Sequence, residues 1–148
     1  KGADLIMLPF FKTKHEVKGF LDCVADRTES CLLVETIEAI ADLDSILDLD
    51  RVRRIHIGLN DLHIAKKTKF MFEPFMNGTL ENIALKANQR GISFGIGGMA
   101  QIGSHLKPSP QSLLAEHRRL GSTAVILSRS FINFSEEESV DDIYEKFL

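Results

Sequence analysis

A chain of 148 residues, of which 44% are hydrophobic and 26% charged, is long enough to bury the core of one globular domain and is not typical of a disordered segment. Its formal net charge is −3 and its cationic runs, 51–54 and 66–69, are short, which argues against nucleic-acid binding because that function needs clustered positive charge. No apolar run approaches the roughly 20 residues that span a bilayer, so we expect no contact with a membrane.

The cysteines predict the cellular compartment of the protein, and the first residues predict whether the chain is a fragment. Cys23 and Cys31 lack the CxxC spacing and the neighbouring histidines of a zinc site, and two cysteines make no disulfide framework, so we expect a cytoplasmic protein. The chain begins with Lys1 and enters an apolar run by Leu5, which indicates a fragment of a longer protein.

Short apolar runs alternate with longer amphipathic segments along the chain. The apolar runs have the length of strands and most are rich in Ile, Val, Leu or Phe, and they occupy residues 3–9, 31–36, 54–58, 92–97 and 123–128. The amphipathic segments have helical periodicity and several carry capping residues, and they occupy residues 13–27, 37–47, 79–90, 109–120 and 136–148. This βαβαβαβαβα order predicts an α/β domain with a parallel sheet covered by helices.

An open doubly wound sheet and part of a closed barrel both satisfy this order. A closed (βα)₈ barrel needs about 250 residues, so five units cannot close one and the length by itself favours the open sheet. The fourth strand favours the barrel, because Ile92, Phe94 and Ile96 fall on one side and Ser93, Gly95 and Gly97 on the other. Small and polar residues suit a barrel interior, whereas the strands of a doubly wound sheet are more continuously apolar.

Two acidic residues follow neighbouring predicted strands. Glu35 ends the second strand and Asp61 lies just beyond the third. Adjacent parallel strands bring such positions together, and two carboxylates can hold Mg²⁺ or Mn²⁺, which would polarise a keto acid and stabilise its enolate. The alternative is that each acid caps the helix that follows it.

Three motifs surround these residues: DLIMLP at 4–9, LVETIEA at 33–39 and IGLNDL at 57–62. Their form and order resemble the HpcH/HpaI aldolase and citrate lyase β-subunit family, closely over the first two thirds of the chain and loosely over the rest. The resemblance implies that residues 1–148 are a partial TIM-barrel domain, the C-terminal five βα units of a (β/α)₈ barrel, with the N-terminal strands missing. The longer motifs IHIGLNDLH, FGIGGMA and ILSRSF also resemble aldolase-like proteins of capsule or lipopolysaccharide gene clusters.

The same resemblance implies a metal-dependent carbon–carbon lyase of the class II aldolase type, acting on a small 2-keto acid through a pyruvate enolate. Glu35 and Asp61 would bind the divalent metal, Mg²⁺ or Mn²⁺, and the backbone N–H groups around Asn60 and Asp61 would hold the substrate carboxylate. Pro9, which ends the first motif, would border the substrate. The arginine and histidine that the family uses come from earlier strands, and members of the family are commonly homo-oligomers.

A second candidate region follows the last two strands. Gly97, Gly98 and Arg129 could bind a phosphate, as the corresponding loops do in many barrels, which would make the protein a phospho-ligand or phosphosugar barrel enzyme. Equally, the glycines could relieve crowding and Arg129 could be an ion-pair partner, and a third alternative is a barrel protein without catalysis. His56, in the middle of the third strand, is predicted to be a packed and hydrogen-bonded interior histidine.

Overall fold

The computed structural model describes residues 2–99, 107–128, 131 and 139–145. Each predicted strand overlaps an observed one, and the strands are β1 (Leu5–Leu8), β2 (Glu29–Val34), β3 (Arg54–Ile57), β4 (Ser93–Met99) and β5 (Ala124–Leu127). The helices are α1 (Lys14–Val24), α2 (Ile37–Ala41), α3 (Leu43–Leu47), α4 (Leu59–Lys66), α5 (Thr79–Gln89), α6 (Pro110–Leu120) and α7 (Val140–Glu145).

The five strands form one parallel sheet in the order β1-β2-β3-β4-β5. A doubly wound sheet reverses its strand order at a switch point, and this sheet has no reversal. Right-handed crossovers between successive neighbours place every connecting helix on the same face. The prediction of five βα units of a TIM barrel is therefore confirmed, and the open doubly wound alternative is wrong.

The hydrophobic core lies between the helices and one face of the sheet. Alternate strand residues are buried there against α1, α3 and α5, among them Leu32, Val34, Ile55, Ile57, Phe94 and Ile96. Burying an aliphatic or aromatic side chain of this size stabilises the fold by roughly 1.5–3 kcal/mol. The period of two along each strand leaves the intervening residues on the opposite face, where the helices do not reach them.

Local signals account for most helix boundaries, with one correction. Thr13 begins α1 in a capping box, because its hydroxyl accepts from the Glu16 N–H and the Glu16 carboxylate accepts from the Thr13 N–H. The single helix predicted at 37–47 is instead two helices, α2 and α3, that meet at Asp42. The Ser45 hydroxyl donates to the Asp42 side chain, a local hydrogen bond of the kind that competes with a continuous helix.

The connection after β3 contains secondary structure that the apolar pattern did not predict. It holds the unpredicted helix α4, a left-handed residue at Lys67 and a short 3₁₀ turn at Glu73–Phe75. Met71, Phe72 and Phe75 pack against the core. This packing makes the connection part of the folded domain.

The two outer strands are less well covered than the three central ones. On β1 the side chain of Ile6 is 41% exposed, and on β5 Ile126 and Leu127 are 46% and 36% exposed.

Over the parts of the chain that the structure describes, no helix combines the length and apolarity needed to cross a membrane.

Candidate functional site

Glu35 is a buried carboxylate at the end of β2. Its side chain is held from β1, because the backbone N–H of Phe10 donates to Glu35 Oε1 at 2.9 Å. Phe10 adopts a φ of 52°, a left-handed conformation that is uncommon for a residue other than glycine. The turn after β1 therefore fixes one carboxylate oxygen, while Oε2 lies against β3.

Gly58 makes the room that Glu35 occupies. A Cβ at Gly58 would lie 2.7 Å from Glu35 Oε2, which is closer than real Cβ contacts, and 3.0 Å from Glu35 Cβ, which is a tight contact. Gly58 remains registered with the sheet, because its N–H donates to the Val34 carbonyl at 3.0 Å. The glycine of IGLNDL thus lets the carboxylate of one strand lie across the end of the next.

Asp61 lies in the first turn of α4, half-buried and directed toward Glu35. Burial raises the pKa of the Glu35 carboxyl, the N–H of Phe10 opposes that rise, and the neighbouring carboxylate of Asp61 adds to it. Two neighbouring acidic groups disfavour each other's ionisation, and a bound cation would reverse that effect. The sequence prediction that these two acids converge is confirmed.

Neither acid caps a helix. The N-cap of α2 is Thr36, whose hydroxyl accepts from the Ala39 N–H at 3.1 Å, and the N-cap of α4 is Gly58. The helix-capping alternative for Glu35 and Asp61 is therefore wrong.

The chemistry of this donor set suits a hard divalent cation. Among residues 2–99, 107–128, 131 and 139–145, no group of three or more His, Cys, Asp or Glu side chains could hold a metal. Two carboxylates leave the remaining positions to water and ligand oxygens, as Mg²⁺ and Mn²⁺ prefer, whereas zinc sites use three or four protein ligands. Glu35 and Asp61 fit Mg²⁺ or Mn²⁺ on these grounds.

The other residues predicted to bind substrate border the same edge of the sheet. Pro9 follows β1 directly and is exposed, and Asn60 is exposed in the first turn of α4. The N–H groups of a first helical turn have no acceptor within the helix, so those of Asn60 and Asp61 are suited to an anionic group.

The glycines predicted to bind phosphate have other neighbours. Gly98 has a φ of 92°, and a Cβ there would lie 3.2 Å from the Phe72 ring, so an aromatic side chain covers this residue. Gly97 borders the His56 ring. The Gly98 contact favours the alternative that a glycine relieves crowding, whereas a Cβ at Gly97 would make only ordinary contacts, and Arg129 lies outside the described residues.

His56 is an interior side chain, 4% exposed, on the face of the sheet that the helices do not cover. Burial lowers the pKa of its imidazole to about 4, and His117 contributes to that shift, so the ring is neutral at ordinary pH. The prediction that His56 is packed is confirmed. The prediction that it is hydrogen-bonded is wrong for Nε2, which has no partner among the described residues.

A cavity of about 800 Å³ lies at the opposite end of the strands. Four arginines line it, but each donates to a main-chain carbonyl or a carboxylate, namely Arg27, Arg51, Arg53 and Arg54. In barrels of this kind the amino-terminal end of the strands serves stability, so this cavity is separate from the candidate site.

Sequence reasoning missed Phe10 and Gly58 as parts of the site. Gly58 carries a readable signal, since a glycine directly after a strand often marks a close approach by another group. Phe10 carries none, because it acts through its backbone N–H and not through its side chain.

Solved structures share the fold of this chain, although no family model and no curated protein matches the sequence. An HpcH/HpaI aldolase/citrate lyase family protein from Burkholderia cenocepacia superposes with a TM-score of 0.66 at 12% identity, over 86% of this chain and 59% of that one. An HpcH/HpaI aldolase from Desulfitobacterium hafniense gives 0.65 at 14% identity, over 86% and 57%. RipC from Yersinia pestis gives 0.70 at 14% identity, over 100% and 65%.

The chain has the fold of the HpcH/HpaI aldolases and citrate lyases. It spans between about half and two thirds of the length of these structures. Identities of 12–17% make this a likeness of fold, so activity is argued from the site itself.

Proposed function

We propose that this chain is part of a divalent-metal-dependent carbon–carbon lyase that acts on a small 2-keto acid. The observation that carries the proposal is the convergence of Glu35 and Asp61 at the carboxyl ends of β2 and β3, where barrel enzymes place their chemistry. The relatives in fold include proteins named as aldolases and a citrate lyase, which supports the same class of reaction.

Different described residues would bind the metal and orient the substrate. Glu35, fixed by the Phe10 N–H, and Asp61 would hold Mg²⁺ or Mn²⁺, and the first-turn N–H groups of Asn60 and Asp61 would orient the substrate carboxylate. When bound, the metal supplies electrophilic polarisation of the keto acid and stabilises enolate charge. We further propose a cytoplasmic homo-oligomer with a small-molecule substrate, which is consistent with the family resemblance.

Mn²⁺ binding by the full-length protein tests the assignment of ligands. We expect calorimetry to show that pyruvate tightens Mn²⁺ binding and that Asp61→Asn weakens it at least about tenfold, a loss of roughly 1.4 kcal/mol. Asp26→Asn is the matched control, since Asp26 is an exposed carboxylate beside the cavity at the other end of the strands. Folded wild-type protein that ignores Mn²⁺, or Asp61→Asn protein that binds it normally, would contradict the proposal.

Enolate formation can be tested without knowing the second substrate. Proton NMR in D₂O would follow exchange of the pyruvate methyl protons, which requires the enolate. We expect exchange to need Mn²⁺ or Mg²⁺ and to be lost in Asp61→Asn. Exchange that continues undiminished in a chelator would remove the metal from the proposed chemistry.

A further inference from the structure

His56 lies directly below the carboxylate site on the same face of the sheet. Its register neighbours are Leu33 on β2 and Gly95 on β4, so it is one side-chain layer closer to the amino ends of the strands than Glu35. The flanking residues Ile55 and Ile57 point the other way, into the core beneath the helices. His56 is therefore an interior group that the proposed chemistry has not used.

Two of the glycines of β4, Gly95 and Gly97, give the direction of the ring. A Cβ at Gly95 would lie 2.5 Å from His56 Nδ1 and 2.9 Å from Cε1, whereas a Cβ at Gly97 would lie 3.6 Å from Nε2. The ring thus lies across Gly95 with Nε2 toward Gly97, which is nearer the carboxyl end of the strand. That end is where Glu35 and Asp61 converge.

Of the residues that the structure describes, only His56 places a side-chain atom within 4 Å of a Cβ position at Gly97, whereas Glu35 and Leu33 occupy the corresponding space at Gly58. Gly58 and Gly97 both follow a core isoleucine in their strands, and Glu35 Oε2 borders Gly58 as His56 Nε2 borders Gly97. We call the space over Gly97 the glycine floor. His56 Nε2 borders it, and Glu35 Oε2 lies over the neighbouring Gly58.

The imidazole nitrogen at this floor is unsatisfied. His56 is 4% exposed, and Nε2 has no hydrogen-bond partner among the residues that the structure describes. Buried polar atoms are nearly always paired, so an exception that borders a space free of other described side chains points to a ligand group that binds there. A neutral imidazole can donate one hydrogen bond from Nε2, which suits an oxygen atom of a ligand.

We propose that His56 is a substrate-positioning residue whose Nε2 hydrogen-bonds an oxygen of the keto acid over the glycine floor. The inference rests on the proposed function, since it takes the acid to be held by Glu35 and Asp61. It adds a specificity element that those carboxylates lack, namely a polar contact beneath the site for an acid with an oxygen directed into the barrel.

The test compares two acids, pyruvate and hydroxypyruvate, in calorimetric titrations of the Mn²⁺-loaded full-length protein. We expect His56→Leu to weaken the binding of at least one acid by roughly 3- to 10-fold, the worth of one neutral hydrogen bond, and to leave Mn²⁺ affinity unchanged. Weakening of both acids assigns the contact to an oxygen that they share, and weakening of hydroxypyruvate alone assigns it to the added hydroxyl. His56→Gln should keep part of the affinity, because its amide can still donate.

Gly97→Ala provides an independent variant. A methyl group there would lie 3.6 Å from Nε2 and 3.4 Å from the Ile57 carbonyl, both ordinary contacts, so the protein should fold while the floor over the nitrogen is filled. We expect the same loss of acid affinity with the imidazole intact. This variant also decides the matter should His56→Leu fail to fold.

The outcomes separate the two proposals. Wild-type affinities for both acids in folded His56→Leu and Gly97→Ala proteins, with Mn²⁺ binding normal, would overturn the role of His56 and leave the lyase proposal standing. Wild-type protein that binds neither Mn²⁺ nor either acid would overturn both.

Discussion

His56 and Ile57 are consecutive residues of β3 that face opposite environments. Ile57 is 1% exposed and packs among aliphatic side chains beneath the helices, with its neighbours Val34 and Ile96. His56 is almost as deeply buried, yet its neighbours on β4 are glycines and its Nε2 has no hydrogen-bond partner in the described part of the chain. The face of the sheet under the helices is closely packed and stabilises the fold. The opposite face carries polar groups and glycines and is less closely packed.

The largest expected difference between the faces is in packing energy. Ile57→Ala should lower the free energy of unfolding by about 2–5 kcal/mol, because it removes buried methyl groups and leaves a cavity. The same change at Ile64, which is 63% exposed on α4, should stay within about 0.5 kcal/mol of wild type. Urea unfolding followed by circular dichroism measures the free energy of unfolding of both variants. Equal losses in the two variants would contradict the expected stabilisation by the buried face.

The second difference concerns how tightly the inner face is filled near His56. Gly95→Ala should destabilise by about 1–3 kcal/mol, because its Cβ would lie 2.5 Å from His56 Nδ1 and 2.7 Å from the Ala124 carbonyl. Gly97→Ala, with no contact under 3.4 Å, should change stability by less than about 1 kcal/mol. Adding His56→Ala to Gly95→Ala should recover part of the loss and not all of it, since the Ala124 carbonyl remains. Equal changes in the free energy of unfolding of Gly95→Ala and Gly97→Ala, measured by the same urea experiment, would contradict this difference in packing.

The third and smallest difference is in pH dependence. Burial, with a contribution from His117, lowers the folded-state pKa of His56 from 6.5 to about 4, so between these values the unfolded chain binds a proton that the folded protein does not. Stability from this group is therefore complete above pH 6.5 and is lost as pH falls toward 4. Between pH 7 and pH 5 wild type should lose roughly 1–2 kcal/mol more than His56→Gln.

The difference between wild type and His56→Gln isolates the contribution of His56 to the pH dependence of stability. Burial also lowers the pKa of His117, and that residue is present in both proteins, so its own contribution cancels. Parallel stability curves for wild type and His56→Gln across this pH range would show that His56 is protonated as readily in the folded protein as in the unfolded chain.

Connectivity explains why the carboxylate pair could be predicted. Glu35 and Asp61 each follow a strand, and parallel strands joined by crossovers bring their carboxyl ends to one edge of a sheet whatever the details of packing. The split of the predicted helix at Asp42 could not be predicted from periodicity, because the apolar period continues across it; the Ser45 hydroxyl donates to the Asp42 side chain at this point. The helix α4 was missed since its residues show little apolar periodicity.

The sequence by itself determined the five βα units, the alternation of core and interior residues along the strands and the edge at which the acids meet. Those properties depend on residue periods and on hydrogen bonds within a few positions of each other. Only the tertiary structure decided that the strands follow one another without reversal, that the Phe10 N–H holds Glu35, and that the His56 ring lies across Gly95. These depend on groups 25 to 39 positions apart in the chain, whose contacts are set by strand register and packing and not by any local pattern.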